Sequence, residues 1–207
     1  MMGSSYTSPP LLSISLCMIV KNEARYLERC LLSAKEVAKQ LIVVDTGSDD
    51  ETVDIARSCG AEVYHHPWEG SFSKARNLSL QYAKEDWILI LDGDEELDAG
   101  FSESLRGYDL SDPQLEALNF QILNFTTDRA IITEAGIIDQ IRLFKNTPQH
   151  RYSGLVHNQL LNIAEDRPLV AQQTPLRVLH YGYTPSVWAA QNKDARIEMH
   201  ERAVEQD

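Results

Sequence analysis

Short apolar blocks separated by helical spacings dominate the first half of the chain. Ser13 to Val20 is a β-rich apolar run, and a polar cap at Asn22 leads into a helical pattern through Ala24, Leu27, Cys30, Leu31 and Ala34. Leu41 to Val44 predicts a second strand that ends at Asp45-Thr46-Gly47-Ser48. The helix that follows, Glu51 to Cys59, stops at Gly60, a residue suited to a left-handed cap. Glu62 to His65 is a short third strand, Ser73 to Ala83 is helical, and Trp87 to Leu91 is the fourth strand. Strands and helices alternating in such short units predict an α/β domain, its mostly parallel central sheet flanked by helices.

The second half differs in texture. Leu118 to Thr126 and Gln140 to Phe144 predict strands, with a polar stretch from Thr127 to Gly136 between them that is expected to be mobile. Asn158 to Asn162 adds another short strand, and an amphipathic helix runs from Val187 to Asp207 without a C-terminal cap. The expected organisation is a disordered leader over 1–11, one domain over 12–184, and a C-terminal helix over 185–207 that could lead to a further or partner domain.

A chain of 207 residues holds one well-buried domain more comfortably than two. The net charge of −12 argues against a general nucleic-acid or anionic-membrane surface, since such surfaces are basic. Cys17, Cys30 and Cys59 show no zinc spacing and read as core thiols of a reducing compartment. No apolar run approaches the length of a membrane span and Met1 to Pro10 lacks the grammar of a signal peptide, so a cytoplasmic protein is expected.

Charge matters most at the strand ends. Ile88 to Leu91 runs into Asp92-Gly93-Asp94-Glu95-Glu96, and acids crowd a strand end where a counter-charge normally sits. Asp92 and Asp94, one small residue apart, can offer oxygens to a single hard cation, Mn²⁺ or Mg²⁺, whose open positions suit nucleotide phosphates. The bland alternative is a solvated acidic loop. Lys21-Asn22-Glu23 and Asp45-Thr46-Gly47-Ser48 end strands in the same way, which places a polar site on one rim of the sheet.

Asp45 can accept from a base N–H or a ribose hydroxyl, with Gly47 making the turn and Ser48 or Asp49 capping the helix; capping alone would also explain the cluster. Lys74, Arg76 and Asn77 near a helix start can bind a diphosphate or ribose, or can simply balance the acidic excess. A cation held by an Asp-x-Asp pair has room for an imidazole, and His180 follows the apolar run Leu176 to Leu179. His65 and His66, before Pro67, read as structural. No Gly-x-Gly-x-x-Gly or Walker loop is present.

Four ordered blocks carry a resemblance: Ser15 to Glu23, Ile42 to Ser48, Phe72 to Asn77 and Trp87 to Glu95. Arg142 to Asn146, Tyr152 to His157 and His180 to Tyr183 continue it downstream. Together they resemble family-2 glycosyltransferases of the GT-A nucleotide-diphospho-sugar transferase fold, in a bacterial cell-wall or polypeptide-type subgroup, over roughly Leu12 to Glu201.

The resemblance implies an inverting, metal-assisted transfer from a nucleotide-activated sugar, UDP-linked by expectation, to a glycan, lipid or peptide acceptor. A homo-oligomer is compatible with it. Asp45 would meet the nucleobase, with Asn22 and Glu23 along the nucleotide pocket. Arg76 and Asn77 would lie on the diphosphate side and Asp92 at the ribose or metal, while Asp94 and His180 would hold the cation. One departure stands out. Relatives commonly read Gly-x-x-His-Glu where this chain has Gly154-Leu155-Val156-His157-Asn158, and an amide has no useful basicity near neutral pH. Glu95, Glu96, Glu134 or Asp139 are the replacement bases to consider. The rivals are a nucleotidyltransferase, which would want a basic Gly-rich loop near the first strand, and a sugar-nucleotide-binding module with weak or no catalysis.

Overall fold

The computed structural model describes residues 12–125, 136–154 and 158–182. The expected leader, the polar stretch before Gly136 and the C-terminal helix therefore lie outside the described residues, as do Glu134 and His157.

The first half builds β1 (Leu12–Val20), α1 (Leu27–Ala34), β2 (Ala38–Asp45), α2 (Thr52–Ser58), β3 (Glu62–His65), α3 (Phe72–Gln81) and β4 (Trp87–Ile90). Then come β5 (Glu95–Leu97), α4 (Phe101–Leu105), β6 (Ala117–Asn124), β7 (Ile137–Lys145), β8 (His150–Ser153), β9 (Gln159–Asn162), β10 (Arg167–Pro168) and β11 (Ala171–His180). Among the described residues, eight strands form one sheet in the order β3-β2-β1-β4-β7-β6-β11-β5, and β8, β9 and β10 form a small antiparallel one. β3, β2, β1 and β4 run parallel. β7 opposes both β4 and β6, β11 runs with β6, and β5 opposes β11. Six of the eight therefore point the same way, a mostly parallel sheet.

The alternation within β1 shows how the layers form. Ile14, Leu16, Met18 and Val20 face α1, α2 and α4, packing with Leu27, Leu31, Phe101 and Leu105. Cys17, between them, faces α3 with Ile42, Val44, Ile88, Ile90 and Leu80. Both faces of the sheet are buried, which is why its strands read as nearly continuous apolar runs.

Two local expectations change. Asn22 does not cap α1: it adopts a left-handed φ of 57°, and the helix begins only after Glu23 O accepts from the N–H of Tyr26 and Leu27. The side chain serving the start of α2 is Asp50, whose Oδ1 accepts from Thr52 N at 3.0 Å, rather than Ser48 or Asp49. Gly60 takes its left-handed φ of 81° as expected after α2.

Candidate active site

Because β1, β2, β3, β4, β6 and β11 share a direction, their carboxyl ends share one rim. That rim gathers Lys21-Asn22-Glu23, Asp45, His65, Asp92 to Glu95, Asn124 and His180.

At its β2 end the loops are stapled together. Asn22 N donates to Ser48 Oγ and Asn22 Oδ1 accepts from Asp49 N, both at 2.9 Å. Glu23 N donates to Thr52 Oγ1 at 2.8 Å. Asp45 is buried and folds its carboxylate over its own turn: Oδ1 accepts from Ser48 N at 3.1 Å and Oδ2 from Gly47 N at 3.3 Å. Gly47, at φ 113°, supplies a conformation that other residues rarely adopt. His65, paired in register with Asp45, brings Nδ1 to 3.3 Å from Asp45 Oδ2. Capping and binding are thus not exclusive here, since the turn amides fix the carboxylate that a base could meet.

At the β4 end two arginines do the holding, Arg142 buried and Arg76 half-buried. Arg76 of α3 donates to Asp92 Oδ1 at 2.8 Å, and Arg142 of β7 lies 3.7 Å from Asp92 Oδ2 and 2.5 Å from Glu95 Oε1. Glu95 Oε2 accepts from Asp92 N at 2.9 Å, closing the ring. Burial works against the charge on Asp92, but the two guanidinium groups hold its carboxyl well below the usual carboxylate range. Burial is also the largest influence on Glu95. Arg142 opposes it and Asp92 adds to it, and the Glu95 carboxyl is pushed up to about 7.

Asp94 is buried beside His180, with Oδ2 at 3.5 Å from Nε2. Asn124 Nδ2 donates to Gly136 O, which turns its Oδ1 toward His180 Nδ1 at 2.5 Å. Nδ1 therefore carries the proton, and Nε2 is the atom presented at Asp94, the usual arrangement of a metal-binding histidine. Burial disfavours the charged imidazole, yet Asp94, Glu95 and Asp92 raise its pKa. Gly182 makes room: a Cβ there would sit 2.7 Å from His180 Nε2 and overlap Asp94 Oδ2. Gly93 does the same for Glu23, whose Cγ would lie 2.6 Å from an added Cβ.

Several sequence expectations shift in detail. Asp92 was a candidate metal ligand, but its oxygens are turned to Arg76 and Arg142. Among the described residues no three His, Cys, Asp or Glu side chains converge as a ready cation cage. The donor set that fits a divalent cation is the Asp94–His180 pair, with remaining positions left to ligand oxygens. Glu95 was a candidate base; its carboxylate is enclosed and both oxygens are engaged, so it braces the turn. Asn77 uses both ends of its amide on the backbone of Tyr152, at 2.8 Å each, tying α3 to β8. Lys74 is exposed and 3.8 Å from Glu69. Asp139 is exposed on β7 opposite Gln121, and Asn158 is half-buried just before β9. Arg142, Asn124 and His65 were not picked out for these roles. A buried arginine in an apolar strand, as at Arg142, is itself a signal, because such a residue is almost never buried unpaired.

The sheet order and its acidic rim define the GT-A class of α/β nucleotide-sugar transferase folds. A solved structure of glucosyl-3-phosphoglycerate synthase from Mycobacterium tuberculosis, in complex with Mn²⁺, UDP and glucosyl-3-phosphoglycerate, superposes with a TM-score of 0.58. It is 16% identical and covers 92% of this chain and 77% of that one. The same enzyme with phosphoglyceric acid gives 0.57 at 18% identity, over 81% and 71%. Residues 15–115, just under half of the chain, match the model for glycosyl transferase family 2. The chain is 42% identical over 177 residues to a TPR repeat-containing protein of Synechococcus elongatus, covering 82% of this chain and 42% of the relative. It is 30% identical over 179 residues to the SPbeta prophage-derived glycosyltransferase SunS of Bacillus subtilis, covering 84% and 40%. The chain thus spans about two fifths of the length of these relatives. No helix among the described residues is long and apolar enough to cross a membrane.

Proposed function

We propose that this chain binds a nucleotide-activated sugar, UDP-linked, with Mn²⁺ or Mg²⁺ and transfers the sugar with inversion to an acceptor hydroxyl, amide or thiol. The observation that carries the reading is the Asp94–His180 pair, oriented by Asn124 and set on the same rim as Asp45. Asp45 accepts from the base, Asn22 and Glu23 line the nucleotide pocket, and Arg76 and Asn77 shape the diphosphate side while Arg76 also fixes Asp92. A divalent cation between Asp94 and His180 would supply positive charge against the diphosphate leaving group.

Calorimetry of UDP with and without Mn²⁺ tests this. Wild type should bind UDP more tightly with Mn²⁺, and Asp94→Ala should lose that difference while staying folded. Wild-type affinity in the variant would remove Asp94 from the site.

Asn158 favours a second reading, a nucleotide-sugar-binding module with weak catalysis. Positioned general-base assistance is worth about 10²–10⁴ in rate. With Glu95 enclosed and Glu96 paired with Arg29, Asp139 is the exposed carboxylate among the sequence candidates that the structure describes. Single-turnover rates separate the readings: a slow wild type accelerated by Asn158→Glu marks the module, whereas a fast wild type silenced by Asp139→Asn marks Asp139 as the base.

A further inference from the structure

His65 sits at the end of β3, outside the blocks that carry the family resemblance, and its ring joins two partners. Nδ1 is 3.3 Å from Asp45 Oδ2, and Nε2 is 3.2 Å from a terminal nitrogen of Arg57. A guanidinium has only donors, so Nε2 must accept and Nδ1 must carry the hydrogen. The bonds therefore run in one sense: Arg57 donates to His65, and His65 donates to Asp45.

From this geometry we infer that His65, set by Arg57, is a positioning residue that fixes the rotation of the Asp45 carboxylate and so makes the site select bases presenting an N–H at the Watson–Crick edge. The inference rests on the nucleotide reading given above. Asp45 Oδ1 accepts from Ser48 N, and Oδ2 from Gly47 N, from Ser48 N at the longer 3.4 Å and from His65, so the carboxylate is held by its own turn on one side and by β3 on the other. A carboxylate so fed with donors is an acceptor only. It meets the N3–H of uracil favourably and the N3 lone pair of cytosine unfavourably. Without His65, Oδ2 keeps the amides of Gly47 and Ser48 at 3.3 and 3.4 Å, both from its own turn, and loses the one side chain that holds it from the β3 side. Arg57 and His65 are both more than half exposed, so the effect is one of selectivity rather than of folding.

The test compares UDP with CDP by calorimetry in Mn²⁺, using the whole chain. His65→Ala should lower the UDP-over-CDP ratio roughly three- to tenfold, the scale of one hydrogen bond. His65→Asn, whose amide NH₂ can stand where Nδ1–H stands, should restore most of it. Arg57→Ala should give a smaller fall in the same direction. An unchanged ratio in His65→Ala, or an Asn variant no better than Ala, overturns the inference. Asp45→Ala separates this from failure of the underlying reading. If that variant binds UDP as wild type does, or wild type binds no UDP, Asp45 is not the base contact and the inference falls with it. If Asp45→Ala weakens UDP while His65→Ala keeps the ratio, only the role of His65 is lost.

Discussion

The two ends of the rim hold their carboxylates by different means. Asp45 leans on backbone amides of its own turn, within three residues of itself. Asp92 and Glu95 lean on Arg76 and Arg142, side chains brought from α3 and β7. The first arrangement is mostly local, with His65 of β3 added from outside the turn. The second is a closed ring of charges built around the buried Arg142 and Glu95, with Arg76 and Asp92 half-buried beside them. One end is thus held within its own turn, whereas the other depends on side chains that also tie α3 and β7 to the end of β4.

The largest expected effect breaks the ring. Arg142→Ala leaves Glu95 enclosed without its cation, and removing one partner of a buried pair costs about 3–5 kcal/mol. Urea unfolding measures it, and a loss under about 1 kcal/mol would show that the ring is not structural.

Next comes the local end. We predict that Asp45→Ala weakens UDP by about 1–3 kcal/mol, the range for a charge-assisted bond. Its stability cost should be well below that of Arg142→Ala. Equal damage in both assays would erase the contrast between the ends.

A third variant sharpens the metal part. Asn124→Ala frees the His180 ring, and loss of such a support costs about tenfold or more in metal affinity. Mn²⁺ titration in the presence of UDP reads it. An unchanged affinity would deny Asn124 its orienting role.

The smallest effect lies away from the rim. Arg167 donates to both oxygens of Glu116, at 2.8 and 2.9 Å, and those bonds pull the Glu116 carboxyl down to about 2 from its ordinary 4.5. A depressed carboxyl contributes stability above its unfolded pKa and loses it as pH falls through the folded one. Glu116→Gln should therefore flatten the acid-stability curve between pH 4.5 and 2. The pair is partly exposed, so the change should be under about 1 kcal/mol. Identical acid-unfolding curves would discount the bridge.

The same division explains what the sequence made legible. β1 to β4 and their helices follow from local periodicity, and Asp45, Asp92, Asp94 and His180 could be picked out at strand ends. β5 could not: it is three residues long, begins with two glutamates, and exists because Leu97, Glu96 and Glu95 pair with Val178, Leu179 and His180 of β11. α4, β8 and β10 are also short, at five, four and two residues, and depend on tertiary neighbours. Asn22 looked like a cap because asparagine favours both caps and left-handed turns, and only the loop partner Asp49 decides between them. Arg142 and Glu95 are 47 residues apart, and nothing local announces their contact.

Gly182 gives the site an unusual vulnerability. The space its missing side chain leaves is what lets Asp94 and His180 stand as close as they do. One added methyl group, with no charge changed and no proposed ligand removed, would wedge the pair apart. In evolutionary terms, on the proposed reading, a rim that holds a cation and one that does not would then differ by a single neutral carbon. A relative could cross between them in one step while every acidic motif in its sequence still read as intact.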